Sequence, residues 1–496
     1  MLIARLIIPV LIILSLGLAQ SATINVCGTN ASFNSIQRAI DTAKRGDTIE
    51  IYSGTYHENV FVSKPLKIRG IVNGSSMPTI DAGGKGSAIT LTADGVLLEG
   101  LMLTNSVNGS GIEIASNNNT IIGNKASKNK FGIYVYNSSN NTIINNNFRY
   151  NLYGGVELDN SAHNIISNNN ISNSVDVISK NSKRIGLGIV FYNASNNEVR
   201  DNIIEDNTLD AISIYNSKDN IIENNTLRHN AVGIYLLNSN DSQVELNQAI
   251  NNTKTGMFIE SSYGCKVTRN IIKNSPITGL NLWKSRDNIL RGNLISGNRW
   301  NFDADGQNDI DTSNFIDGRP IFYLIGKSNI TLDENSRAGA VYCVNCNRIS
   351  IKNLKFNNTD IGVKFDNTTN SRIENNKFER NEGGIVLLRS IKNYIMNNEV
   401  NESLENGILI AYSSDENTVK MNTVSYSLKS GLAVEDSWHN IITCNAVNNN
   451  KAYGISTNNS AMNSIMWNSG SNNGNGDYGL LISKSAQCNA TPSMPP

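Results

Sequence analysis

One pattern recurs along most of the chain. It reads as an apolar residue, two variable residues and Asn, then a short polar stretch, then Gly, alternating apolar residues and Ser. The Asn positions are Asn124, Asn146, Asn168, Asn202, Asn224, Asn247, Asn270 and Asn293, resuming after a break at Asn353, Asn376, Asn398, Asn422, Asn445 and Asn468. The interval is almost always 22 to 24 residues, inside the solenoid range. The Gly half recurs at Gly132, Gly155, Gly188, Gly233, Gly256 and Gly279, then at Gly362, Gly384, Gly407, Gly431, Gly454 and Gly479, with Ala211 as the one substitute. No repeat has room for a helix of ten residues, which excludes leucine-rich, TPR and ankyrin arrays. Ile133-Tyr134-Val135-Tyr136 alternates as a half-buried strand does. Short strands joined by Asn/Gly turns at this period predict an all-β parallel β-helix. About fifteen coils at the parallel strand spacing give a rod on the order of 70 Å long.

The pattern explains the composition. About one residue in six is Asn, against an ordinary usage led by Leu, Ala and Gly. Asn tolerates left-handed backbone at tight bends, and its amide, stacked in register, donates to one neighbour and accepts from the other. The Asn rows are structural. Lys+Arg and Asp+Glu are 42 each, so the formal net charge is zero; this argues against nucleic acid and polybasic membrane binding.

An open stack needs caps. Ser32 to Lys44 predicts a short capping helix, with Phe33, Ile36, Ile40 and Ala43 on one face and Ser32 as N-cap. Residues 1–19 read as a signal peptide, with Arg5 before the apolar run Leu6 to Leu16 and small residues at Ala19 and Ser21. No second apolar run of spanning length follows. About seventeen Asn-x-Ser/Thr sequons, such as Asn30, Asn137 and Asn367, fit a secreted or cell-surface chain. The six cysteines are Cys27, Cys265, Cys343, Cys346, Cys444 and Cys488. Cys343-Val344-Asn345-Cys346 is a lone CxxC, read as a local disulfide or two unpaired thiols rather than a metal site.

The stretches Phe33-Asn34-Ser35-Ile36-Gln37-Arg38-Ala39-Ile40, Gly46-Asp47-Thr48-Ile49 and Gly54-Thr55-Tyr56-His57-Glu58-Asn59-Val60 resemble the opening of pectin-lyase-like right-handed β-helix proteins. The Asn-rich coils are similar to the NosD-type family of carbohydrate-binding proteins and sugar hydrolases, above all its archaeal cell-surface members. The resemblance covers nearly the whole mature chain. It implies a right-handed single-stranded helix and a carbohydrate partner. The paired Asp motifs of polygalacturonases, the calcium-site Asp cluster and Arg of pectate lyases and the Gln-Asp motifs of pectin methylesterases are not apparent. NosD itself is associated with copper-site assembly, yet no His/Met/Cys cluster of the kind copper selects is present. No cofactor and no metal are expected.

Two irregularities break the period. Between Asn168 and Asn202 the coil carries about a dozen extra residues, within Ser174 to Gly186, including Lys180, Lys183 and Arg184. Between Asn293 and Asn353, Asp303-Ala304-Asp305-Gly306-Gln307-Asn308-Asp309 lacks the ligand alternation of a calcium loop and reads as a solvated loop. The following Ile310 to Leu324 resembles a segment that interrupts the coils in archaeal NosD-type proteins and is expected to pair on the side of the rod. The organisation is therefore 1–21 signal peptide, 22–300 capping helix and first coils, 301–345 interrupting segment, 346–486 second run of coils and 487–496 tail.

In the Gly half, residues between the apolar ones face outward. Stacking gives two columns, Tyr134, Glu157, Val190, Ser213, Tyr235, Phe258, Asn281 and Tyr136, Asp159, Tyr192, Tyr215, Leu237, Glu260, Trp283. Exposed aromatics in a stripe mark interaction, although Tyr and Phe are also good strand residues that stack as ladders. Aromatic faces suit sugar rings and carboxylates suit hydroxyls, so Tyr134, Tyr136, Tyr192, Tyr215, Tyr235, Phe258, Glu260 and Trp283 are the candidate ligand contacts for a polysaccharide or cell-envelope glycan. The later coils, with Lys364, Val386, Leu409, Ala433 and Ser456, are far less aromatic. Glu157 and Asp159, about 7 Å apart on one strand, with Arg184 to neutralise an acidic substrate, are the candidate catalytic set for a lyase, hydrolase or epimerase. The readings are a non-enzymatic glycan binder first, then such an enzyme, then a structural or adhesion rod or a NosD-like copper-maturation protein.

Overall fold

The computed structural model of the chain describes residues 21–27, 33–74, 76–175, 186–481 and 489–490. The segment read as a signal peptide, Ser32, Lys180, Lys183, Arg184, Cys488 and nearly all of the tail lie outside these residues. The chain forms an all-β parallel solenoid of about 19 turns, with one short α-helix near its start. That exceeds the fifteen coils read from the repeat, because the opening coils lack the Asn and Gly signature. They stack on strands such as Ile49, Ile68 and Leu98, paired in register without it. The helix spans Ile36–Thr42, and its N-cap is Ser35, whose side chain accepts from the Arg38 N–H. Ile36, Ala39 and Ile40 face the first coils.

Each turn contributes a strand to each of three sheets. In the first run one sheet has 13 strands and another 11. Pairing is parallel and in register, as in Ile133↔Val156 and Val156↔Ile189. Every second side chain points inward, which yields one continuous core of Ile, Leu and Val.

The Asn residues divide two duties that the sequence pattern merged. Asn168, Asn224 and Asn353 hold left-handed backbone at φ 53°, 52° and 58°. At the first two positions the ladder runs through the next residue, Asn169 or Asn225, both buried. Down one ladder, Nδ2 of each Asn donates to Oδ1 of the next: Asn169 to Asn202 at 3.1 Å, Asn202 to Asn225 at 3.0 Å and Asn225 to Asn247 at 3.0 Å. The same Oδ1 accepts a backbone N–H from the coil before. Parallel ladders pass through Asn141 and Asn164 and through Asn207 and Asn230. The repeating glycines serve close approach. A Cβ on Gly155 would lie 2.3 Å from Ile171 Cγ2, and one on Gly132 2.6 Å from the Gly155 carbonyl.

The segment 301–345 carries the last strands of the first run and the first strands of the second. Trp300–Ala304 is the last strand of the 11-stranded sheet. Phe315–Ile316 pairs parallel with Leu294 and Ile295, then antiparallel with Arg319 and Pro320. Arg319–Ile325 and Ala340–Val344 open the second run, paired with each other in parallel. Their faces belong to different cores. Ile321, Tyr323, Ala340 and Tyr342 pack into the first core, and Val341 and Cys343 into the second. These two strands are a wall shared by both runs, and all five residues of Ala340–Val344 are buried.

The stretch 303–309 is correspondingly not a free loop. Lys364, buried on the second run, reaches Asp303 at 3.5 Å and Asp305 at 3.0 Å. Burial pulls its ammonium down, and the two carboxylates more than offset that, holding it above the ordinary lysine range. Cys343 and Cys346 are two free, buried thiols rather than a disulfide. A hydrogen bond from Cys343 brings the Cys346 thiol down to about 7.

Candidate functional site

The 11-stranded sheet carries both predicted columns in register. Glu113, Tyr134, Glu157 and Val190 are successive partners, as are Tyr136, Asp159, Tyr192 and Tyr215. The columns are not one open stripe. Val190 and Ser213 are fully buried and Tyr215 is only 6 % exposed. Val190 and Tyr215 form with Leu187 an apolar patch on the outer face of the sheet, joined by Tyr192, Leu209, Tyr235 and Leu237. Tyr215 therefore serves packing, stacked on Tyr192 at 5.1 Å, and is withdrawn from the candidate contacts.

On the N-terminal side of this patch lies a groove of about 660 Å³, lined by Asn108, Glu113, Lys130, Phe131, Tyr134, Tyr153, Glu157 and Tyr192 among others. Its aromatic wall is ordered. Phe131 stacks on Tyr134 at 6.0 Å and meets Tyr153 edge-on at 5.7 Å, and Tyr134 stacks on Tyr136 at 5.5 Å. The Lys130 ammonium stands over Phe131 at 5.4 Å and over Tyr153 at 5.1 Å, within cation–π range. Ser87 Oγ donates to Glu113.

Glu157 is the perturbed acid of the groove. Burial pushes its carboxyl up to about 7; Lys130 pulls it down and Asp159 adds to the rise. Near neutral pH it is therefore partly protonated. Tyr134 is pushed up to about 12, first by burial and then by Asp159, Glu157 and Glu113, and its side chain is hydrogen-bonded to Asp159. A neutral proton donor, a carboxylate, a cation and four rings thus converge on one concavity. Concave sites with a few convergent polar groups and perturbed titratable residues are the usual form of ligand sites.

The remaining predicted contacts lie further along the sheet. Tyr235 donates to Glu260 at 2.6 Å, so that acid is already engaged. Tyr235, Phe258 and Trp283 stack in sequence at 5.5 and 6.4 Å. Trp283 is 40 % exposed, with Lys284 over its ring at 4.3 Å. Arg184 lies outside the described residues. Strand alternation could not find Lys130, Phe131 and Tyr153, because they sit at or just before the strand start, where the turn aims them. Glu113 was findable: it stands directly beside Tyr134 in the first column, one coil earlier.

A family model described as right handed beta helix region matches residues 71–184 and 176–295. One described as periplasmic copper-binding protein (NosD) matches 307–479. No curated protein matches. Among solved structures, the Dettilon tailspike protein is 17 % identical with a TM-score of 0.43, over 65 % of this chain and 66 % of that one. An alginate lyase from a Paenibacillus species is 17 % identical with a TM-score of 0.35, over 58 % and 99 %. Pectate lyase Pel9A is 15 % identical with a TM-score of 0.38, over 71 % and 79 %. Likenesses this slight carry no argument about activity.

Proposed function

We propose that this chain, which belongs to the right-handed β-helix family and is of the NosD type in its second run, is an exported envelope protein that binds a glycan in the groove beside Tyr134. The observation that carries this reading is the groove itself. Phe131, Tyr134, Tyr153 and Tyr192 offer ring faces, while Lys130, Glu113 and Glu157 offer polar groups to hydroxyls or a charged substituent. Aromatic rings suit the apolar faces of sugars, and they are costly to leave exposed without a partner. A glycan array tests it. Binding is expected, and Tyr134→Ala and Tyr192→Ala are expected to weaken it about tenfold, the loss of one good ring contact. No binding, or binding unchanged in both variants, sinks the reading.

One observation favours an enzymatic second reading. Glu157, pushed up to about 7 beside Asp159, suits a general acid at neutral pH. Release of reducing ends or of unsaturated sugar from a broad polysaccharide panel, abolished in Glu157→Gln, would support it; no turnover on that panel removes it. A copper-handling role, as the NosD description would suggest, is poorly supported. Among the described residues no three His, Cys, Asp or Glu are placed to hold a metal ion. The thiols Cys343 and Cys346 are buried in the second core. These residues do not fit a copper ion, which asks for several soft or imidazole ligands.

A further inference from the structure

We propose that one edge of the rod, the turn that follows the groove-bearing sheet, is a site of asparagine-linked glycosylation at Asn118, Asn137, Asn140, Asn193 and Asn329. The inference rests on the export reading and not on the groove beside Tyr134.

The sequon motif decides nothing by itself in this chain. The repeat writes sequons of its own accord, because a left-handed Asn, a ladder Asn and a strand Thr follow one another, as in Asn118-Asn119-Thr120. What separates one sequon from another is what the coil leaves in reach. An acceptor presents its amide, and the hydroxyl two residues on, at the surface.

At Asn118, Asn137, Asn140, Asn193 and Asn329 the residue is exposed and holds a bend with φ between 48° and 58°. Among the described residues their side chains make no hydrogen bond, so a sugar there displaces none of the bonds of the coil. Their hydroxyl residues, Thr120, Ser139, Thr142, Ser195 and Thr331, also reach the surface. Other sequons fail on one count. Those opening at Asn108, Asn170, Asn240, Asn357, Asn401 and Asn458 have a buried hydroxyl residue, namely Ser110, Ser172, Ser242, Thr359, Ser403 and Ser460. Asn224 and Asn367 have an accessible one, but their Nδ2 already donates, to Asp201 and to Asn345, each at 2.7 Å.

The accessible sequons share one edge. Asn118 lies between the strands Ser110–Ile114 and Thr120–Ile122, Asn137 and Asn140 between Phe131–Tyr136 and Thr142–Ile144, and Asn193 between Leu187–Tyr192 and Glu198–Arg200. Each of these turns leads from the 11-stranded sheet to the 13-stranded one. Asn329 holds the matching turn of the second run, between Arg319–Ile325 and Thr331–Leu332. Phe131 and Tyr153 of the groove stand at the other end of the same strands, about 20 Å away for a strand of this length. Sugars on this edge therefore leave the groove open. Asn108, which lines the groove, has its Nδ2 committed to the Gly84 carbonyl at 3.1 Å.

The transfer joins Nδ2 to the anomeric carbon of an oligosaccharide activated as a lipid-linked phosphate ester. The anomeric C–O bond breaks, the phosphate leaves with its electron pair, and the proton lost from Nδ2 passes to water.

The test digests the full chain, purified from the cells that make it, and maps its glycopeptides by mass spectrometry. Sugar masses are expected on Asn118, Asn137, Asn140, Asn193 and Asn329, and none on Asn108, Asn170, Asn240, Asn357 or Asn401. Ser195→Ala leaves the left-handed Asn193 in place and is expected to lose the sugar at Asn193 and at no other site; Ser195→Thr is expected to keep it. Glycan-array binding by the groove is expected to be unchanged in Ser195→Ala. The inference is overturned if these sites are bare in a chain recovered from the cell envelope, or if the sequons with buried hydroxyls are modified as fully. A bare chain recovered from the cytoplasm overturns it together with the export reading.

Discussion

Replacing Asn225 by Ala removes one rung from the middle of a ladder, and the structure gives the size of the effect. Asn225 Oδ1 accepts from Asn202 N and from Asn202 Nδ2, both at 3.0 Å. Its Nδ2 donates to the Val199 carbonyl at 2.8 Å, the Glu223 carbonyl at 3.0 Å and Asn247 Oδ1 at 3.0 Å. Truncation deletes all of these contacts, and the partners stay buried. A net hydrogen bond is worth about 1 kcal/mol and an orphaned buried partner costs somewhat more, so the expected loss is about 3–6 kcal/mol, at or above the upper end for a single substitution. The adjacent Asn224 is the control. Its side chain is exposed, its φ is 52° and its Nδ2 bonds only Asp201. Asn224→Ala is expected to cost about 1–2 kcal/mol of left-handed strain, and Asn224→Gly close to nothing. Long repeat arrays need not unfold in one step. The assay is therefore amide hydrogen exchange read by mass spectrometry over segments 195–250. Asn225→Ala is expected to lose protection in the strands Glu198–Arg200 and Ile221–Glu223 and their neighbours, far more than Asn224→Ala does. Equal and small losses in both variants would refute the ladder as the holding element.

Gly155→Ala is expected to destabilise by about 1–3 kcal/mol, since its Cβ would meet Ile171 Cγ2 at 2.3 Å; thermal melting against the wild type checks it. Lys364→Ala leaves the mostly covered Asp303 and the partly exposed Asp305 without their cation, an expected loss of about 1–3 kcal/mol, solvent at Asp305 screening part of the effect. Proteolysis with mass mapping is expected to show cleavage at the junction between the runs first. For Glu157 the sign follows from its raised carboxyl. Between the ordinary value of 4.5 and about 7 the native state keeps a proton that the unfolded state has lost. Stability therefore falls as pH climbs through that window and is level outside it. Glu157→Gln is expected to abolish the fall and to be more stable than the wild type at pH 8 by up to about 3 kcal/mol, read by urea denaturation at a series of pH values.

The stacked fold was open to view in the sequence, because the same residue types return to the same stack at every coil. Strand alternation placed Tyr134, Glu157 and Asp159 on the outer face correctly. The opening coils escaped because strands such as Lys67–Ile71 and Leu97–Glu99 use plain alternation without the Asn and Gly marks. The junction escaped because nothing local shows that Ala340–Val344 is apolar on both faces for two different cores. Val190 and Ser213 read as outward and are outward, yet both are fully buried, Val190 within a cluster with Leu187 and Tyr215, and alternation is blind to such clustering. Lys130 and Tyr153 escaped because turn residues are aimed by backbone bends rather than by period.

The most direct measurement of the central claim is a crystal structure of the chain soaked with the glycan that binds it best. Density for sugar rings is expected against Tyr134, Tyr153 and Tyr192, with a hydroxyl or substituent within hydrogen-bond distance of Glu157 or Lys130. A bound glycan seated on another face, with this groove holding only water, would contradict the account.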